Sequence, residues 1–382
     1  MIKNLTILNE TLNYIQNQEN LAERFARETK EWQGGDKSNC VYLYGAGYLM
    51  PYYFRYLQKN GIEIEAILDS YKEGIYNEVP ILRYENFLSG NPDLDHCRVF
   101  VSTASASKEI IPILKRHFPK ENVFFVDCTF QLENIDMTLN EYRLYLTEHW
   151  NEIEHLYESL ADEKSKVTLL NILKGRISGN PDWFTATLDP NLDYPQGVIS
   201  FGENEVLVEP GANDGETFLE FVRRCPHYRA AYLFEPEPCF YEKLCHIAMQ
   251  EEKKEKMVHI IPKGAWDSET ELQFVSTGSR TGSFVLSPNY GANKTIKTTT
   301  VDMAVPEPFT YMKMDIEGAE MKALRGAERH ILAFRPKLGV SIYHKSTDLL
   351  DVWNYLRALV PNYCFYLRNH TQVWDDSILY AI

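Results

Sequence analysis

The segment VLVEPGANDGETF, residues 206–218, ends an apolar run on Glu209, sets Gly211 and Gly215 four apart, and then turns helical. Glycines at the end of a first strand let backbone approach a ligand closely, and the following helix start adds N–H donors. A dinucleotide loop needs a third glycine, which is absent at that spacing, and Glu209 would repel a phosphate. The acid suits a ligand carrying an amino group and positive charge instead. Glu235 ends the next apolar run, AAYLFE, where an acid can hold ribose hydroxyls. S-adenosylmethionine combines an amino-acid end, a sulfonium and a ribose, and is the expected cofactor. The competing reading is a structural tight turn with Glu235 capping a helix.

A second loop, Gly45-Ala46-Gly47, follows the run VYLY, and Asp69 ends the run after it. A nucleotide-type ligand and a degenerate domain used for packing or dimerisation are both open here. Two later runs end on Asp315 (TYMKMD) and His344 (KLGVSIYH), with Lys313 and Glu317 alternating with Asp315. Neighbouring strand ends would bring these groups to one edge of a sheet. Asp315 could instead cap the helix near Gly318, and His344 could be structural. Carboxylates with a histidine can also hold a divalent ion, but D-x-E is too common a spacing to assign a metal.

Those residues need strands to carry them. Residues 1–35 read as a polar helical appendage, and 36–130 as a small Rossmann-like domain. Its expected elements are a strand at CVYLYG, a helix over Tyr48–Asn60, and strands at IEIEAILD, VPIL, VFVST and NVFFVD, with a helix at KEIIPILKRHF. Alternation of strands and helices predicts a parallel sheet. Residues 131–195 read as a helical connector with Leu156, Leu160 and Val167 at helical spacing, ending near Gly179 and Pro181. A second alternation over 196–382 includes one strand at MVHIIPKGA, one helix at GAEMKALRGAERHILAF, and a closing antiparallel hairpin, YCFYLR with SILYAI. The fold class expected is α/β, with two Rossmann-like domains.

Composition narrows the function. The 382 residues are 44% hydrophobic and carry a formal charge of −15. A polyanion-binding protein needs a basic face, and EEKKEK at 251–256 interleaves acids with its lysines, so nucleic acid is not an expected partner. No apolar run reaches membrane-spanning length and the N-terminus lacks a signal-peptide core, so a cytoplasmic protein is expected. The seven cysteines form no CxxC pair and read as free thiols.

MKMDIEGAEMKALRGAERHI (312–331) resembles the signature of the FkbM-type methyltransferase family, and EVLVEPGANDGETF its cofactor loop. IPKGAWDSETELQF, TTTVD, SIYHKSTDLLDVW and YLRNHTQVWDDSILYAI resemble later segments of the same family. LYESLADEKSKVTLLNILKGRISGNPDWF and DYPQGVISFGENEV resemble the connector of members with an extra N-terminal domain. The resemblance runs over about 150–382; residues 36–130 are similar by domain type to nucleotide-sugar-associated modules. One departure is Glu209-Pro210, where many relatives carry aspartate, but an acid is kept.

The resemblance implies a class I S-adenosylmethionine-dependent methyltransferase fold with seven strands and a reversed last strand. It also implies O-methylation of a sugar, glycan or glycosylated metabolite. A sugar hydroxyl must lose its proton, so Asp315 or His344 is the expected base, with Lys313 and Glu317 beside them. Glu209, Gly211, Asn213, Asp214, Gly215, Thr217, Glu235 and Asp315 are expected around the cofactor. Gly264 and Ala265 would flank its adenine near Asp267. Ser279, Arg280 and Ser283 would lie in a loop over the acceptor. Gly45, Gly47 and Asp69 would serve a ligand of the N-terminal domain, such as a nucleotide-sugar, and a homodimer is a further expectation. Competing functions are methylation of a polyketide or other small molecule, a non-catalytic nucleotide-binding protein, and a nicotinamide oxidoreductase.

Overall fold

Apolar runs that end on glycine, proline or an acid form the strands, and residues with apolar spacing of three and four form the helices. The structure is a computed structural model and describes residues 2–36, 38–47, 49–103, 107–127, 136–191, 193–275, 283–284, 294–373 and 375–382. The chain divides into two units. One comprises Met1–Asn151, Val167–Leu188 and Thr371–Asp375, the other Glu152–Lys166, Asp189–His370 and Asp376–Ile382. The stretch read as a connector is thus shared out, with helix Leu139–Glu148 in the first unit and helix Glu163–Ser178 divided between the two. Leu156 and Leu160 are buried as their spacing suggests, whereas Val167 is exposed.

The first unit holds strands β1 (Cys40–Tyr44), β2 (Ala66–Asp69), β3 (Gly74–Tyr76), β4 (Val79–Arg83), β5 (Cys97–Val101) and β6 (Val123–Phe124), ordered β3-β4-β2-β1-β5-β6. Its pairs are parallel except β3 with β4. That hairpin turns on Asn77 and Glu78, both with positive φ (46° and 69°), the geometry that matches strand twist in a two-residue turn. Neither β3 nor helix Tyr84–Ser89 is legible in the sequence pattern. The polar N-terminal stretch forms helices Ile2–Asn17 and Leu21–Gly35. The second is no mere appendage: Ala22 and Ala26 share a core with Val41, Leu43 and Phe54. Asn20 caps it, accepting from the N–H groups of Ala22 and Glu23.

The second unit holds β7 (Val206–Pro210), β8 (Ala230–Phe234), β9 (Met257–Ile261), β10 (Gly264–Ala265), β11 (Glu271–Val275), β12 (Ser283–Phe284), β13 (Lys294–Thr299), β14 (Tyr311–Met314), β15 (Lys337–Ser341), β16 (Phe365–Asn369) and β17 (Ser377–Ala381). Seven form one sheet in the order β16-β17-β15-β14-β7-β8-β9, with β17 antiparallel to both neighbours, as expected for the closing hairpin. A smaller sheet, β10-β13-β11-β12, was not foreseen.

Two expected elements are broken. MVHIIPKGA is two strands in two sheets, because Pro262 has no N–H for the ladder and Lys263 N–H donates back to Ile261 O. The helix expected over 318–334 is two helices, Glu320–Gly326 and Glu328–Phe334. Asp302 starts the second, its carboxylate accepting from the N–H groups of Arg329 and His330. Gly326, the last residue of the first helix, packs against the Trp266 backbone, where a Cβ would lie 2.0 Å from the carbonyl oxygen. Gly326→Ala should therefore destabilise the protein by about 2 kcal/mol or more, read by urea denaturation, because backbone must shift to admit the methyl. Unchanged stability would show that the contact yields freely.

Candidate active site

The order of the seven-stranded sheet runs outward in both directions from the β7–β14 pair, so a crevice opens beyond the carboxyl ends of these two strands. The loop after β7 enters it with Gly211, Asn213 and Gly215 in left-handed conformations (φ 81°, 49° and 82°). At Gly211 the requirement comes from the protein itself: a Cβ would lie 2.0 Å from the Asp315 carbonyl oxygen. At Gly215 it would meet Ile247 at 2.7 Å. The two strand ends are locked together by backbone contact rather than by side chains.

Glu235, at the end of β8, reaches this loop. Its carboxylate accepts from the N–H of Asn213 (2.9 Å) and of Glu237 (2.7 Å). Burial pushes its pKa up to about 7, against the opposing pull of those two N–H groups. Glu209, at the end of β7, is wholly buried, and neither carboxylate oxygen has a well-formed hydrogen bond. Burial pushes Glu209 to about 7 as well, although Lys313 and the nearby Thr217 hydroxyl favour its charge. A buried carboxylate whose oxygens lack well-formed hydrogen bonds has a strong preference for a cation or a donor.

Lys313 on β14 is buried, its Nζ 3.7 Å from Asp193 Oδ1. Burial would depress this ammonium, but Asp193, Asp315 and Glu209 hold it above the usual lysine range. Burial raises the Asp193 carboxyl despite Lys313. Sequence reading missed Asp193 altogether, because it precedes β7 in a loop with no strand to mark its direction.

Asp315 and His344 do come together, as their strand ends imply. His344 Nε2 lies 3.4 Å from Asp315 Oδ1 and 3.5 Å from Glu317 Oε2, while Nδ1 lies 3.0 Å from Glu320 Oε1. The Tyr343 hydroxyl donates to Asp315 at 3.1 Å. Burial alone would lower the His344 pKa, but Glu320, Glu317 and Asp315 raise it well above the ordinary imidazole value. Glu320 also accepts from the Ile316 N–H, a return made possible by left-handed Glu317 and Gly318. Its role as a buried partner of His344 has no local signature in the sequence.

Other expected residues stand apart or elsewhere. Asp214 N–H donates to the Asn213 side chain, within the loop. Gly264 and Ala265 form β10, paired with Thr298 and Thr299 in the smaller sheet, and Asp267 pairs with Lys322 at 2.8 Å. Ser279 and Arg280 lie outside the described residues, and of Ser283 only the backbone, in β12, is described. In the first unit Gly45 is left-handed (φ 104°) and Gly47 is not. Asp69 accepts from the N–H groups of Ala46, Tyr71 and Lys72, while Lys72 Nζ donates to Ala46 O. Burial opposes its charge, yet these donors hold Asp69 below the usual carboxylate value. That loop is closed by its own acid.

A seven-stranded sheet with one reversed strand, carrying an acid-led glycine loop at its switch point, is the fold of a class I methyltransferase. The family described as the methyltransferase FkbM domain matches residues 209–363 of this chain. The structure is similar to methyltransferase FkbM from Methylobacillus flagellatus KT, with TM-score 0.71 and 19% identity over 98% of this chain and 99% of that one. Precorrin-6y C5,15-methyltransferase from Geobacter metallireducens GS-15 aligns over 51% of this chain and 94% of its own, with 10% identity and TM-score 0.28, too low to carry weight. No curated protein matches the sequence.

Glu209 carries a pH signature. Its pKa rises from the ordinary 4.5 to about 7 on folding, so folding takes up a proton between those values. The stability attached to this group is full below about pH 4.5 and is lost as pH rises through 7. Glu209→Gln should therefore be more stable than the wild type at pH 8, by up to about 3 kcal/mol, and by less than about 1 kcal/mol at pH 5. Urea unfolding at the two pH values measures this. A variant less stable at pH 8 would mean that the carboxylate is already compensated.

Proposed function

We propose that the protein is an S-adenosylmethionine-dependent O-methyltransferase whose acceptor is a hydroxyl of a sugar, glycan or glycosylated metabolite. The observation that carries the donor assignment is Glu209: buried, without a well-formed hydrogen bond, and next to left-handed Gly211. These features fit a ligand with an ammonium group. In this reading Glu209 holds the amino-acid end with the loop through Gly215, Asp214 and Thr217 beside it. Glu235 holds the ribose hydroxyls. Gly264 and Ala265 remain proposed as the adenine side.

When bound, S-adenosylmethionine supplies an electrophilic methyl carbon on a sulfonium. The chain's own work is to position the acceptor, exclude water and remove one proton. Asp315, Glu317 and His344 stand at the adjoining strand ends, where Asp315 and Glu317 are partly open to solvent. The acceptor O–H would give its proton to the Asp315 side of this group, with the Tyr343 hydroxyl orienting that carboxylate. Lys313 faces Asp193 instead, and is proposed to hold the acids of the site in place rather than touch the acceptor. The sugar acceptor rests on the FkbM resemblance and on these hydroxyl-matching acids.

Calorimetric titration with S-adenosylhomocysteine tests the donor site. One-site binding is expected, abolished by Gly211→Val and weakened at least about tenfold by Glu235→Ala. An ammonium ligand selects ionised Glu209, so affinity should level off above about pH 8 and fall about tenfold between pH 8 and pH 6 for each group near 7 that must ionise. Glu209→Gln should bind more weakly and lose part of that pH dependence. Absence of binding by wild-type protein freed of co-purified ligand would sink the proposal.

A further inference from the structure

We infer that His344, Asp315 and Glu317 form a binding site for one divalent cation at the carboxyl ends of β14 and β15, with Glu320 as the supporting partner of the histidine. The side chain of His344 is only 7% exposed, and neither ring nitrogen makes an aligned hydrogen bond. Nε2 has Asp315 Oδ1 at 3.4 Å and Glu317 Oε2 at 3.5 Å. Ligand atoms adjacent on one ion with bonds near 2.1 Å sit about 3.0–3.5 Å apart, a spacing both oxygens meet from Nε2, and an ion bound there would draw the two carboxylates together.

The far side of the ring completes the arrangement. Glu320 is fully buried and places Oε1 3.0 Å from Nδ1, while its Oε2 has no partner. A metal-bound imidazole nearly always gives its other N–H to a carboxylate or carbonyl, which fixes its tautomer and orientation. Glu320 is placed for that role, and its own position is held by the Ile316 N–H. The Tyr343 hydroxyl does the same for Asp315. Asp315, Glu320 and His344 each offer an atom within 4.8 Å of the others. Access differs across the group: the carboxylates on the Nε2 side are 27% and 31% exposed, so an ion enters there and keeps open positions for water or an acceptor hydroxyl. Two carboxylates and one imidazole suit a hard-to-borderline ion of the Mn2+ type.

The ion's binding depends on these side chains alone. Its role, lowering the pKa of an acceptor hydroxyl whose proton passes to the Asp315 oxygen that does not hold the ion, rests on the methyl-transfer reading above. The test titrates chelator-treated full-length protein with Mn2+, following loss of the free-ion electron paramagnetic resonance signal. One Mn2+ per chain is expected, weakened at least about tenfold in Asp315→Asn and His344→Ala, and similarly in Glu320→Gln. Circular dichroism melts confirm that each variant is folded, and Asp315→Asn is nearly isosteric at a partly open position. No Mn2+ bound by wild type would overturn the site, as would binding unchanged in folded Asp315→Asn and His344→Ala. A parallel S-adenosylhomocysteine titration in chelator separates the two readings. Donor binding without Mn2+ uptake overturns the cation site alone, and Mn2+ uptake without donor binding overturns the donor assignment alone.

Discussion

One buried ammonium organises the second unit. Lys313 is enclosed by acids from separate parts of the chain: Glu209 at the end of β7, Asp193 before it, Asp315 on its own strand and Asp376 before β17. A buried charge is tolerated only when it is paired, so each of these segments is held to the same point by charge as well as by packing. One lysine facing four carboxylates leaves the group short of positive charge. Glu209 has a pKa raised chiefly by burial, with Asp193 and Asp315 adding to it, and unmade hydrogen bonds. The same excess of negative charge makes the crevice suited to cationic ligands and unsuited to phosphates.

Backbone strain gathers around the same point. Asp193, Asn213, Glu317 and Asp376 all have positive φ although none is glycine. Such conformations persist only where surrounding contacts over-determine them, and they cluster at sites that hold ligands. Asp193 and Asp376 face Lys313, the Asn213 N–H donates to Glu235, and Glu317 and Gly318 let Glu320 reach the Ile316 N–H. The close contact of Gly211 with the Asp315 carbonyl joins the two loops.

The two glycine loops solve the same local problem with different outcomes. Asp69 and Glu235 both end a second strand and both accept N–H groups from the glycine loop beside them. Asp69 has three backbone donors and a nearby lysine, which hold it ionised. Glu235 has two donors and deep burial, which leave it near pH 7 and responsive to a ligand. The strand-end acid is thus a common device, and its surroundings decide whether it closes a turn or waits for a partner.

Much of this was open to a reader of the chain alone. Strand periodicity, the acids ending EVLVE, YLFE and TYMKMD, and the closing hairpin follow from local pattern, because alternation and turn residues act over a few positions. The sequence also brings Asp315 and His344 to one edge, since parallel strands end on the same side. It cannot show that Asp193 reaches Lys313, that Glu320 folds back onto His344, or that a helix ends at Gly326 and a strand breaks at Pro262. Those outcomes depend on contacts between residues distant in the chain, on burial, and on backbone approaches that have no local signature. Residue types and strand ends were therefore determined by sequence, whereas which acids lie buried, paired or unpartnered was decided only when the sheet assembled around Lys313.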